Sequence, residues 1–189
     1  MSAPLHSVCV FAASSDAVSA TYRHLARRLG VAVAQAGWRL VYGGGQAGLM
    51  GEVAQSALAA GGHVTGIIPR RLNSIERAFD DVTDLVLVDS LAERKMLMDQ
   101  RSDAFAVLPG GVGTLDEITD VLTTLHLGFH DRPVVLVDPE GFWQPLRDLL
   151  DHMVEAKVLP AESVEMLISA TSVEDAIAAL APRRPRTPR

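Results

Sequence analysis

The stretch Leu108-Pro109-Gly110-Gly111-Val112-Gly113-Thr114-Leu115-Asp116-Glu117 puts a glycine loop directly before an acid. Pro109 ends an apolar run, Gly110 and Gly111 turn the chain, and Gly113 admits a ligand to the backbone. A helix starting there offers N–H groups and a positive dipole end to an anion, and Thr114 adds a hydroxyl. Glu117 then reads in two ways. It is the acid of a T-x-x-E capping box that closes the helix start, or it is a carboxylate held beside a bound anion. One helix earlier stand Arg94 and Lys95, either a solvated basic pair or cations facing the same ligand. Lysine is scarce, with Lys95 and Lys157 the only two. A second loop, Gly43-Gly44-Gly45-Gln46-Ala47-Gly48, is also glycine-rich before a helical stretch and reads as another phosphate cradle. Cations, an anion seat and a carboxylate on one sheet edge point to chemistry on a phosphorylated sugar.

The elements that must position these residues alternate in type. Apolar runs of strand length fall at Ser7–Ala12, Arg39–Tyr42, His63–Ile68, Leu85–Val88, Ala104–Leu108 and Val134–Val137, with a short one at Met166–Ile168. Helical spacing covers Thr21–Ala36, Leu49–Ala60, Leu91–Arg101, Thr114–Leu125, Gly141–Ala156 and Ser172–Leu180. Runs such as Val134-Val135-Leu136-Val137 are apolar at consecutive positions, which requires burial on both faces. The pattern predicts a Rossmann-like, doubly wound α/β domain with a parallel sheet, spanning residues 1–181. Both glycine loops then lie at the carboxyl edge of that sheet, where ligands bind in this architecture.

Composition narrows the classes. The chain has 189 residues, 48% hydrophobic and 21% charged, as in an ordinary globular domain. Its one cysteine, Cys9, excludes an internal disulfide and reads as inert packing in a buried strand. No apolar run reaches the ~18 residues of a membrane span, and Met1–Ser7 lacks the pattern of a signal peptide, so a cytoplasmic location is expected. Net charge is −6; the last eight residues carry four arginines and no acid, which leaves residues 1–181 at −10. Such a body repels polymeric nucleic acid. The tail 182–189, rich in proline and arginine, reads as disordered. His126 and His130 are four apart, but Gly128 between them ends the helix, so no metal site is expected. Trp38 and Trp143 read as packing residues.

The segments Gly43-Gly44-Gly45-x-x-Gly48-Leu49-Met50-Gly51, Arg94-Lys95 and Pro109-Gly110-Gly111-x-Gly113-Thr114-x-x-Glu117 resemble the LONELY GUY (LOG) family. Its members are cytokinin riboside 5′-monophosphate phosphoribohydrolases. The resemblance spans roughly Ser7 to Ile168 in element order. It implies hydrolysis of the N-glycosidic bond of a purine or cytokinin nucleoside 5′-monophosphate, such as AMP, without metal or cofactor. It assigns Arg94 and Glu117 as the essential pair, Gly111, Val112, Gly113 and Thr114 as the phosphate loop, and Glu76, Lys95 and Thr123 as further nucleotide-site positions. It also implies a homodimer with sites near the interface; Leu127 and Phe129 extend the apolar face of the helix after the loop. Family members often carry Cys-Gly-Ser-Ser after the first strand, where this chain has Ala12-Ala13-Ser14-Ser15. The label lysine decarboxylase, also used in the family, needs pyridoxal phosphate on a lysine and is set aside. Two other readings stay open: a non-catalytic nucleotide carrier, and an NADP enzyme. For the latter, Gly43, Gly45 and Gly48 form G-x-G-x-x-G, with Arg70 and Arg71 where the ribose-binding acid of an NAD enzyme would stand.

Overall fold

A computed structural model describes residues 6–72 and 79–182. Seven strands form one parallel sheet: β1 (Ser7–Phe11), β2 (Arg39–Tyr42), β3 (His63–Pro69), β4 (Asp84–Val88), β5 (Ala104–Val107), β6 (Val134–Val137) and β7 (Leu167–Ala170). Their order is β4-β3-β2-β1-β5-β6-β7. The helices are α1 (Ala20–Gln35), α2 (Gly48–Ala59), α3 (Leu91–Gln100), α4 (Val112–His126), α5 (Gln144–Glu155), α6 (Ala161–Glu165) and α7 (Val173–Leu180).

Alternation along each strand divides the core into two layers. Val8, Val10, Leu40, Tyr42 and Val64 face α1, α2 and α7, meeting Leu29, Val33, Val53, Ala54 and Leu180. Cys9, Phe11, Val41, Phe105 and Val107 face the other way, onto Met98 of α3 and Ile118, Val121 and Leu125 of α4. Both faces are therefore covered, as the continuous apolar runs require. From β1 the chain winds outward through β2, β3 and β4, then returns to place β5 on the other side of β1. The reversal between β1 and β5 opens a crevice at their carboxyl ends, the general ligand position in this fold.

The loop after β1 is pinned to the start of α2. Ala13 O accepts from Leu49 N (2.9 Å) and Met50 N (3.3 Å), and Asp16 Oδ1 accepts from Gly48 N (2.9 Å). Gly48 has φ +61°, and a Cβ there would lie 2.6 Å from Ala13 O, so this close approach needs glycine. Glu52 of α2 locks the same junction from α1, with Arg27 Nε 2.6 Å from Oε2 and Arg23 Nη1 2.9 Å from Oε1. The Arg27 hydrogen bond holds the Glu52 carboxyl below its ordinary value, burial opposes this, and Arg23 adds to the lowering. A depressed carboxyl stabilises the fold above its unfolded pKa, and the benefit is lost as pH falls through the lower folded value. Glu52→Gln is thus expected to melt about 2–4 °C below the parent at pH 7, with the gap closing below pH 4.5. Calorimetry across that range checks it; a gap independent of pH would refute the ion-pair account.

Most element boundaries fall within two residues of those the pattern predicts. The informative differences are at helix starts. α4 begins at Val112 with Gly111 as N-cap, so Thr114 is its third residue and no T-x-x-E box forms. α5 begins at Gln144 instead of Gly141, because Gly141 takes φ +73° and Asp138 accepts from the N–H groups of Phe142 and Trp143 (both 2.7 Å). α6 leaves no sign in the sequence pattern, since five residues after Pro160 are too few for a helical period to register. Glu76 and the tail from residue 183 lie outside the described residues.

Candidate active site

A cleft of about 190 Å³ occupies the crevice between β1 and β5. Ala12, Ala13 and Ser14 form one wall, Gly111, Val112, Gly113 and Thr114 the other, with Arg94, Glu117 and Met50 completing it. Because Gly111 is the N-cap and no side chain caps α4 among the described residues, its first-turn N–H groups face the cleft without intrahelical partners. Gly110 permits the loop's tight entry: a Cβ there would lie 2.1 Å from Thr114 Oγ1. At Gly111 and Gly113 an added Cβ would meet no protein atom within 4 Å, so both present bare backbone to open space. Thr114 itself is buried.

Arg94 reaches the cleft from the first turn of α3, which Ser90 caps by accepting from Glu93 N (3.1 Å). Its Nη2 lies 3.7 Å from Glu117 Oε1, with only 11% and 12% of the two side chains exposed. The pair therefore sits in a partly desolvated setting where Coulomb attraction exceeds that of a surface pair. The Arg94 Nε and the Tyr42 hydroxyl are buried without a hydrogen-bond partner. Burial pushes the Tyr42 phenol well above its ordinary pKa, with Arg94 opposing, so the hydroxyl stays protonated. Burial and then the Glu117 charge push the Cys9 thiol up as well, which fits inert packing.

The structure gathers Arg94, Glu117 and residues 111–114 into one cleft; the other sequence candidates among the described residues stand elsewhere. Lys95 turns to α4, with Nζ 3.0 Å from Asp116 Oδ1 and 3.8 Å from Asp120 Oδ1. Thr123 is exposed two turns beyond Glu117 and donates to Thr119 O (2.7 Å). Gly43, Gly44 and Gly45 are buried behind Arg94 and do not line the cleft. The expected phosphate cradle at α2 is closed, since Asp16 and Ala13 already take the N–H groups of Gly48, Leu49 and Met50. The same bonds exclude a dinucleotide pyrophosphate from that helix start, and Arg70 pairs with Asp89 at 3.4 Å. His126 and His130 separate, the first to Ser163 (2.7 Å) and the second to Thr124 (3.2 Å). Trp143 is buried in the α4 layer and Trp38 packs partly buried beneath α1. Met50 and the Ala12, Ala13 and Ser14 wall are cleft residues outside the sequence candidates; nothing in the sequence distinguishes Met50 from a core methionine, and Ala12 and Ala13 carry no polar side chain to signal a site.

The family model described as possible lysine decarboxylase matches residues 50–180. A cytokinin riboside 5′-monophosphate phosphoribohydrolase of Mycobacterium tuberculosis is 44% identical over 175 residues, 93% of each chain. The chain belongs to the LONELY GUY (LOG) family. Its similarity extends to the Arabidopsis thaliana enzyme LOG1, 37% identical over 95% of this chain and 84% of the relative. The LOG fold is shared with the molybdenum cofactor carrier protein of Chlamydomonas reinhardtii, at a TM-score of 0.71 and 22% identity over 94% and 96% of the two chains. Decarboxylase chemistry does not fit this LOG chain: among the described residues no lysine lines the cleft to hold pyridoxal phosphate, and Lys95 is engaged by two aspartates.

Proposed function

We propose that this chain hydrolyses the N-glycosidic bond of purine nucleoside 5′-monophosphates, AMP and prenylated adenine nucleotides among them, giving the free base and ribose 5-phosphate. The observation that carries it is the Arg94–Glu117 pair set 3.7 Å apart at the open start of α4. The substrate phosphate binds the N–H groups of the Gly111–Thr114 turn, where the helix dipole favours an anion. Bound there, the nucleotide lays its pentose toward Glu117. As the bond from C1′ to the base breaks, positive charge grows on C1′ and the ring oxygen. The Glu117 carboxylate stabilises that charge and aligns the water that attacks C1′. The bond's electron pair leaves with the base, and the proton lost by water balances it. Arg94 fixes the carboxylate in its ionised form and orientation.

Relatives bearing the phosphoribohydrolase name support the reading. The carrier reading draws on likeness of fold to molybdenum cofactor proteins 22% and 26% identical, and it gives the Glu117 carboxylate no task. A carboxylate opposes anion binding; it stabilises a developing cation. Incubation with AMP, followed by chromatography, tests the proposal: adenine and ribose 5-phosphate appear in equal amounts. Bound but unchanged AMP would establish a carrier instead.

The assembly belongs to the same proposal. Leu91 and Met96 on α3, Leu115 on α4, and Leu127 and Phe129 beyond it are exposed by 56, 50, 38, 61 and 77%. Ile118, Val121 and Leu125 of α4 pack on the sheet, so the exposed apolar residues lie outside that packing and are the ones a second copy covers. Sedimentation is expected to give twice the 20.2 kDa chain mass, and a monomer at working concentration would refute it.

A further inference from the structure

Gly43 directly follows β2, under the guanidinium of Arg94. A Cβ built on Gly43 would stand 1.7 Å from Arg94 Nη2, 2.8 Å from Cζ and 3.2 Å from Nε, and these are its three nearest atoms. Gly43 is not among the glycines with positive φ, so its backbone conformation is one that alanine adopts. Neither backbone strain nor packing against another element accounts for glycine here; the missing side chain makes room for one group only. That group needs the room. Its Nε is buried without a hydrogen-bond partner and Nη2 stands 3.7 Å from Glu117, so shape, more than hydrogen bonding, sets where the guanidinium rests.

From this we infer that Gly43 is a positioning residue for Arg94, and that the first glycine loop serves the reaction through the guanidinium instead of through the substrate phosphate. The inference rests on the hydrolase reading only for its kinetic consequence. In Gly43→Ala the guanidinium must retreat by roughly 1.7 Å before the contact reaches an ordinary 3.4 Å. It sits at the end of a flexible side chain, so it moves while the fold stays. A catalytic group displaced by about 1 Å costs on the order of 10²-fold in rate.

The test combines a structure with kinetics. A crystal structure of Gly43→Ala is expected to show β2 and the loop unchanged and the Arg94 guanidinium displaced from Glu117. With AMP, kcat falls about 10²-fold while KM changes less than threefold, because the phosphate seat at α4 is untouched. Adding Gly43→Ala to Arg94→Ala leaves the melting temperature and AMP affinity of the single variant unchanged, since the clashing group has gone. Retained Arg94 geometry with a shifted loop, or a raised KM with unchanged kcat, overturns the assignment. If the wild-type chain releases no adenine, the hydrolase reading fails, and the crystal structure still decides where Gly43 places Arg94.

Discussion

Glu117→Gln, folded like the parent, is expected to release adenine from AMP about 10²–10⁴ times more slowly. Glutamine preserves the size of the side chain and its capacity to accept a hydrogen bond. It removes the charge. If Glu117 served only the helix, the substitution would matter little, because glutamine closes a capping box as well as glutamate does. That alternative has lost its geometric basis: Gly111 caps α4 and Glu117 is the sixth residue inside it, one turn past where a box acid stands. Beside the carboxylate stand Arg94 and the cleft. A carboxylate only 12% exposed, with its cation at 3.7 Å, suits the proposed task of stabilising positive charge at the pentose. Chromatographic turnover measurements on matched preparations, with melting curves to establish folding, decide the matter. Turnover within threefold of the parent would remove Glu117 from the mechanism.

The sheet was legible because burial on both faces leaves an unmistakable sign. Val134–Val137 and Ser7–Phe11 are buried at every position, and their apolar continuity admits no other parallel arrangement. The carboxyl-edge position of the α4 loop followed from the alternation of elements alone. What the sequence does not carry is the use to which each glycine loop is put. Both loops present glycines before a helix, yet one helix start is open and the other is closed by Ala13 O and Asp16, which lie about 35 residues upstream. A long-range hydrogen bond leaves no local spacing signal. The same holds for Lys95. Its neighbour Arg94 turns into the cleft, while one residue's rotation about α3 carries Lys95 to the aspartates of α4. Thr114-x-x-Glu117 misled for a related reason: the glycines before it let the helix begin two residues early.

Adenosine is expected to be cleaved with a kcat/KM about 10³ below that of AMP, although the bond broken is the same. The phosphate makes no contact with C1′, and its contribution is positional. In the proposed site it would meet N–H groups at the start of α4 with no intrahelical partner, where the bare backbone of Gly111 and Gly113 leaves room for it. Two hydrogen bonds to a charged group, at about 2 kcal/mol each, amount to roughly 10³-fold. Where that energy is expressed distinguishes two accounts. If the seat merely retains the nucleotide, adenosine reacts at the AMP rate once saturating, and only KM rises. If the seat fixes the pentose against Glu117, kcat falls too, because an untethered nucleoside samples many poses in the cleft. The geometry favours the second. Glu117 is the sixth residue of the helix whose first turn is the proposed phosphate seat, so seat and carboxylate belong to one element. Steady-state kinetics with AMP and adenosine at concentrations spanning both KM values separate the cases, and equal kcat for the two would show that the anion seat binds without aligning.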